Sequence, residues 1–478
     1  MAVLAEHSTD GLSRTRTGKV GNLGPRNPLL GKAKPGRDEL LEEKMRETSS
    51  SPIVLQEQQL AQQAVQYPTM VFTTLAHRMD VEWLREAFAR TRKDAAPGID
   101  QVTAQEYAQH LEANLADLHE RLRTGRYEAP PVKRTYLDKE DGTKRPIGIP
   151  ACEDKIVQRA VVMLLGAIYE QDFKDCSYGF REGRSPHQAL HALREQCLEM
   201  GLGWIVDADV SAYFDSLDHQ QLLEIIQQRV KDGSILSLIE QWLKAGVIEN
   251  GSLSYPERGS PQGGVVSPLA ANIYLHHVLD EWYEREVQPR LKGRSILLRF
   301  ADDFVIACER EDDARRVLGV LPKRFGRFGL TIHPTKTRLV KFTKPGRREK
   351  SDGGNGTFDF LGLTHYWAKS RRGYWVIKRM TARKRQRRAM RAAWNWCREH
   401  RHQPLKEQYQ VLVQKLRGHY QYYGLRGNYR KLWGLWRWVE RAWSYWLKRR
   451  SQRAISEEEF AKLRAQYPLP IPVITQSI

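Results

Sequence analysis

The segment Arg294–Arg310, RSILLRFADDFVIACER, sets two adjacent carboxylates, Asp302 and Asp303, among the apolar residues Ile296, Leu297, Leu298, Phe300, Phe304, Val305 and Ile306. Burying like charges side by side is costly unless an opposite charge compensates. A divalent cation does so, because a metal inverts the local electrostatics. A second acidic cluster lies upstream in WIVDADVSAYFD. Strand periodicity places Asp207 and Asp209 on one face, with Val206, Ala208 and Val210 on the other. If the two strands are neighbours in one sheet, an aspartate from each could hold two Mg²⁺ ions about 3.5–4 Å apart, suited to in-line phosphoryl transfer. Mg²⁺ takes such sites, with few carboxylates and phosphate oxygens completing its octahedron. The competing role is local: paired aspartates at a hairpin turn also satisfy turn backbone.

The elements that must position these acids follow from periodicity and punctuation. Order is expected from Tyr67 onward. DVEWLREAFARTRKD has helical spacing through Val81, Leu84, Ala87 and Phe88, and a second helix is expected over 104–123. YEAPPVKRTYLDKEDGTKRPIGIP reads as a hairpin turning at Asp141-Gly142 and decorated by Lys133, Arg134, Lys139, Lys144 and Arg145. CEDKIVQRAVVMLLGAIYE is a buried helix, and GSPQGGVVSPLAANIYL is a Gly/Pro-rich loop opening another. FGLTIHPTKTRLVKF and FDFLGLTHYW supply two shorter strands, and after Lys369 the pattern turns helical, basic and Trp-rich.

At 478 residues the chain should divide into two or three domains. Its net charge of +20 is concentrated: residues 369–453 hold 25 Lys and Arg against Glu399, Glu407 and Glu440. So dense a polycation repels itself unless it meets a polyanion, and nucleic acid suits it better than an anionic membrane because its Trp and Tyr have a packed-core look. Arg383, Arg387 and Arg391 recur every four residues, a helical stripe able to track phosphates. Most of Trp433, Trp436, Trp443 and Trp446 are expected in a helical core, whereas Tyr420, Tyr422, Tyr423 and Tyr429 stand among Arg417, Arg426 and Arg430 as candidates to border RNA. The five cysteines stand singly, against structural zinc and disulfides, and no apolar run is long enough to span a membrane. The first 66 residues are expected to be a disordered extension, with too many acids for a transit peptide.

RFADDFVI resembles the two-Asp signature of reverse transcriptases in its bacterial group II intron-encoded form, with Phe300 where that motif usually has Tyr. Further motifs follow in the family's order. DADVSAYFDSLDH is similar to its first acidic motif, which selects Asp209 over Asp207, and GSPQGG to its Pro-Gln-Gly motif. KEDGTKRPIGIP, EDKIVQRAVVMLL and YGFREGRSPHQAL look like fingers motifs, GLTIHPTKT and FLGL like the last palm motifs, and APGIDQVT like a leading one. KLRGHYQYYGLRGNYRKL is similar to the maturase region. The resemblance covers roughly residues 67–450.

It implies an α+β right-hand polymerase, fingers and palm around an antiparallel sheet, followed by an all-α thumb/maturase domain. The expected division is an extension over 1–66, helical fingers over 67–128, fingers and palm over 129–368, a basic helical domain over 369–453 and a tail over 454–478. Asp209 and Asp302 would bind two Mg²⁺ ions, helped by the Val210 carbonyl, with Asp303 completing the triad. Phe214 would be a steric gate against a 2′-hydroxyl, or else a core aromatic. Lys139 and Arg145 would meet the dNTP triphosphate, and Gln262 and Gly263 the template and incoming base. Lys336 would protonate pyrophosphate, or else be a surface lysine. Arg383, Arg387, Arg391, Arg417, Tyr422 and Arg426 would bind RNA. The implied partners are intron RNA, an RNA template, a DNA primer or target and dNTPs. The implied setting is a bacterial, cytoplasmic, nucleoid-associated ribonucleoprotein. The family's endonuclease carries clustered His and Cys, and residues 450–478 hold neither, so that module is not expected there. Two other readings are a domesticated relative serving defence, repair or spacer acquisition, and an RNA-binding splicing cofactor with a dead polymerase.

Overall fold

Helix α1 (Pro52–Gln66) points Ile53, Leu60 and Ala64 into the core, although its glutamines read as part of an unstructured extension. Positions i, i+7 and i+11 form one helical stripe, which tertiary packing against a later helix turns into a buried face. The computed structural model describes residues 51–138, 144–249, 252–254, 263–346, 356–450 and 456–476.

Asp80 caps α2 (Val81–Arg90) by accepting the Trp83 N–H, and the helix buries Trp83, Leu84, Ala87 and Phe88. The expected second helix is two, α3 (Ala104–Ala108) and α4 (Leu111–Arg123), parted where His110 leaves helical geometry. Strands β1 (Val132–Asp138) and β2 (Lys144–Ile149) form the expected hairpin with Leu137 opposite Arg145; its tip lies outside the described residues. Helix α5 (Cys152–Asp172) is buried along most of its length. Then come α6 (Pro186–Glu199), β3 (Trp204–Ala208), β4 (Val210–Ser211), α7 (Tyr213–Ser216), α8 (His219–Gln227) and α9 (Gly233–Lys244). β5 (Val247–Glu249) and β6 (Ser252–Ser254) extend the hairpin sheet, in the order β2-β1-β5-β6.

Helix α10 (Ser267–Leu275) continues through π-helical turns to Val287. The central sheet has the order β10-β3-β8-β7, from β7 (Ser295–Phe300), β8 (Asp303–Cys308) and β10 (Arg338–Lys341). Its two inner strands are buried on both faces. Val206, Phe304 and Ile306 face one hydrophobic cluster, and Ile205, Val305 and Ala307 face another, so β8 reads as one continuous apolar run. Helix α11 (Glu311–Arg327) lies between β8 and β9 (Thr331–Ile332) in the chain, and β9 pairs with β4.

A third sheet holds β11 (Phe358–Phe360), β12 (Leu363–Lys369) and β13 (Trp375–Thr381). The last strand was not expected. It lies beyond residue 369, where the basic residues suggested helix, and its half-buried Lys378 and Met380 alternate with buried Ile377, Arg379 and Thr381. Among the described residues four helices follow: α12 (Arg383–Glu399), α13 (Leu405–Tyr423), α14 (Tyr429–Leu447) and α15 (Glu457–Gln466). The C-terminal residues are no separate tail. Phe460 and Leu469 enter the core of these helices, and the Pro470 carbonyl accepts the Tyr420 hydroxyl at 3.0 Å.

Candidate active site

Pairing of β3 with β8 sets Ala208 opposite Phe304, so Asp209 leaves β3 beside the β7–β8 turn that carries Asp302. Ala301 in that turn has φ +56°, a left-handed conformation that a residue with a Cβ adopts only under constraint. The constraint comes from beneath. Arg299, fully buried, donates to Asp280 at 2.8 and 2.5 Å, to Asn272 at 2.9 Å, to Ser177 Oγ at 2.7 Å and to the Ala301 carbonyl at 3.1 Å. Gly179 lets the preceding loop close on the turn, since a Cβ there would fall 2.3 Å from Ala301 N. Sequence reasoning missed Arg299 and its partners. The available signal was a lone cation inside an apolar strand.

The acids form one electrostatic group. Burial raises the Asp302 carboxyl, the Asp209 charge raises it further, and Arg145 and Arg299 oppose both. Burial pushes Asp303 up to about 7, aided by the Asp207 and Asp302 charges. Asp207 is also raised by burial, and Arg338 answers it at 3.1 Å. That ion pair gives Asp207 a cation of its own, although its charge still acts on Asp303. The loop after β9 holds Asp209: its N–H donates to Thr337 Oγ1 at 3.3 Å, its carbonyl accepts the His333 N–H at 2.8 Å, and Lys336 Nζ reaches its Oδ2 at 2.8 Å. Val210 is buried in β4, opposite Ile332.

Among the described residues, no three carboxylate, imidazole or thiol groups stand together as a ready-made metal cage. The donor set nevertheless fits a hard divalent cation: oxygen donors only, mutually repelling, with an ammonium already drawn to Asp209.

Around the acids, Arg145 on β2 is near enough for its charge to lower the Asp302 carboxyl. Phe214 is half-buried in α7, edge-on to Tyr213 at 5.3 Å, just after Ala212 at φ +45°. Gly263 has φ +117°, and a Cβ there would lie 2.5 Å from the Gly148 carbonyl oxygen of β2. Lys139 and Gln262 lie outside the described residues.

The basic stripe is real: Arg383, Arg387 and Arg391 are exposed on α12, and Arg417 and Arg426 are exposed beyond it. Tyr422 is not a free RNA-facing ring. Its hydroxyl donates to the Leu361 carbonyl at 2.9 Å and its ring packs on His187 and Tyr423, so it braces α13 against the β11–β12 turn. Tyr420 is likewise buried. Trp443 lies in the helical core as expected, but Trp433 is exposed; Tyr429, read as a surface candidate, is exposed and stacks on it.

Residues 137–365 match the family model described as reverse transcriptase (RNA-dependent DNA polymerase). The chain is also 36% identical over 259 residues to protein YkfC of Escherichia coli (strain K12), 47% of this chain and 67% of that one. This chain belongs to the reverse transcriptase family. It is also 41% identical over 168 residues to the group II intron-encoded protein LtrA of Lactococcus lactis subsp. cremoris, 35% of this chain and 28% of LtrA. It is 35% identical over 95 residues to nuclear intron maturase 1, mitochondrial, of Arabidopsis thaliana, 20% of this chain and 13% of that protein. No described helix of this reverse transcriptase is long and apolar enough to cross a membrane.

Proposed function

We propose that this chain extends a primer 3′-hydroxyl with dNTPs on an RNA template, and that its C-terminal basic helices bind structured intron RNA and assist splicing. One observation carries the polymerase reading: the register of β3 on β8 brings Asp209 beside Asp302, which sits on a strained turn held by a buried arginine. In this reading the hairpin sheet serves as fingers, the central sheet as palm and the last helices as thumb.

Asp209, Asp302 and the Val210 carbonyl would hold Mg²⁺, with Asp303 completing the negative field. When bound there, Mg²⁺ would supply Lewis-acid chemistry, activation of the hydroxyl nucleophile and neutralisation of charge on the leaving pyrophosphate. Arg145 grips triphosphate oxygens through its planar fork. Phe214 lies under the sugar and rejects a 2′-hydroxyl. Gly263 lets backbone approach the base pair. Lys336, whose Nζ lies 2.8 Å from Asp209 Oδ2, would be the proton donor to pyrophosphate. The matches to intron-encoded proteins favour this reading over a domesticated relative.

Primer extension with Mg²⁺, dNTPs and an RNA template tests it. Asp302→Ala abolishes synthesis and leaves intron RNA affinity nearly unchanged. Parallel loss of both would contradict separate catalytic and RNA-binding surfaces.

A further inference from the structure

The loop carrying Gly263 re-enters helix through Val265 and Val266, and α10 starts without a side-chain cap of its own. The first N–H groups of a helix lack intrahelical partners, and their neighbours in the entering turn need acceptors too. Here one acceptor comes from another helix: Gln158 Oε1, on α5, takes the Val265 N–H at 2.6 Å and the Val266 N–H at 3.2 Å. The Gln158 amide nitrogen donates to Asp154 Oδ2 at 2.9 Å, one turn back. Asp154 Oδ1 in turn accepts the Tyr127 hydroxyl at 2.8 Å and Trp242 Nε1 at 2.7 Å. Asp154 and Gln158 are both buried, and none of these residues served the site already described.

A primary amide has a donating and an accepting end, whereas a carboxylate only accepts. Asp154 therefore dictates the sense of the Gln158 amide, nitrogen toward the acid and oxygen toward the loop. On its far side the same loop is closed against β2, where Gly263 leaves no room for a Cβ beside Gly148. Its position is thus set from two sides: by contact with the strand that carries Arg145, and by hydrogen bonds from α5.

We propose that Asp154 and Gln158 are positioning residues that seat the Gly263 loop against β2 and so set the fit of the incoming nucleotide. Neither touches substrate. This rests on the polymerase reading above and assigns two specificity-determining residues to the same site.

Two variants of nearly constant volume test it. Gln158→Met removes both ends of the amide. Asp154→Asn keeps an acceptor for Tyr127 and Trp242 but turns a donor toward Gln158. That amide then flips and sets its own donors against the Val265 and Val266 N–H groups. Hydrogen exchange reads the relay directly: both variants exchange these two amides at least about tenfold faster, while amides inside α10 stay protected. Steady-state extension reads its consequence: KM for dNTP rises about tenfold in each, kcat falls less than about threefold, and the double variant is no worse than either single. A loss of folded enzyme alone would lower kcat and leave KM where it was. Tyr127→Phe, which spares the Gln158 contact, keeps KM within about twofold. Unchanged exchange at the two amides overturns the relay. Faster exchange with an unchanged KM overturns its part in nucleotide fit. A wild-type chain that extends no primer sinks the polymerase reading and the nucleotide-fit claim with it, while exchange still decides whether the relay exists.

Discussion

Arg299→Met separates stability from catalytic positioning. The guanidinium is fully buried and bonded to Asp280, Asn272, Ser177 and the Ala301 carbonyl. Removing it strands Asp280, itself about 1% exposed, as an unanswered buried carboxylate. Breaking one side of a buried pair costs about 3–5 kcal/mol. At roughly 2–4 °C per kcal/mol, the melting temperature should fall by on the order of 10 °C. Adding Asp280→Leu removes the orphan charge, and apolar replacement of both partners is often neutral, so melting should recover to within about 1 kcal/mol of wild type. Activity should not recover. Ala301 would still lack the donor that holds its carbonyl, and a misplacement of about 1 Å at the reacting centre costs about 100-fold. Thermal melts and single-turnover nucleotide incorporation on the single and double variants check both halves. If the double variant regains incorporation together with its melting temperature, Arg299 is only a stabilising residue. If Arg299→Met melts like wild type, the buried pair is worth less than argued.

Gly263→Ala should slow incorporation by about tenfold while the melting temperature stays within a few degrees, because a Cβ at φ +117° collides with the Gly148 carbonyl; wild-type rates would refute the close approach. Replacing Arg383, Arg387 and Arg391 together by Glu should weaken RNA binding and flatten the slope of log affinity against log salt by about 2, near 0.7 for each phosphate no longer neutralised. An unchanged slope would place the RNA elsewhere. His365 is fully buried, stacked on Phe358 at 4.8 Å, and burial with the Arg379 charge holds its imidazole down to about 3. Between pH 6.5 and that value the unfolded chain binds a proton that the folded chain refuses, so acidification destabilises. From pH 6.5 to 5 this group alone should remove about 2 kcal/mol, and His365→Phe should spare it, as urea titrations at the two pH values would show.

Much of the site was legible because its parts are local. The apolar runs around Asp302 and Asp303 predicted the hairpin, and β7 and β8 meet there with Phe300 opposite Asp303. The β1–β2 hairpin and α5 follow the same logic of periods two and 3.6. Misreadings arose where composition and packing disagreed. Glutamines hid the buried stripe of α1, basic residues hid β13, and the tyrosines of α13 looked exposed although Tyr420 and Tyr422 spend their hydroxyls on backbone carbonyls. Periodicity locates elements but does not say which neighbour arrives from far along the chain.

The sequence by itself determined which chemistry was on offer: acids flanked by strand-forming residues, a glycine loop and a cationic helix, each a matter of residue type and short-range spacing. Only the tertiary structure decided which of those groups meet. It paired Asp207 with Arg338 and Asp209 with Lys336, set Arg299 under the Asp302 turn, and brought Gln158 to the amides behind Gly263. Such choices depend on where a side chain lands after distant segments pack, and a buried polar atom accepts whatever partner that packing supplies.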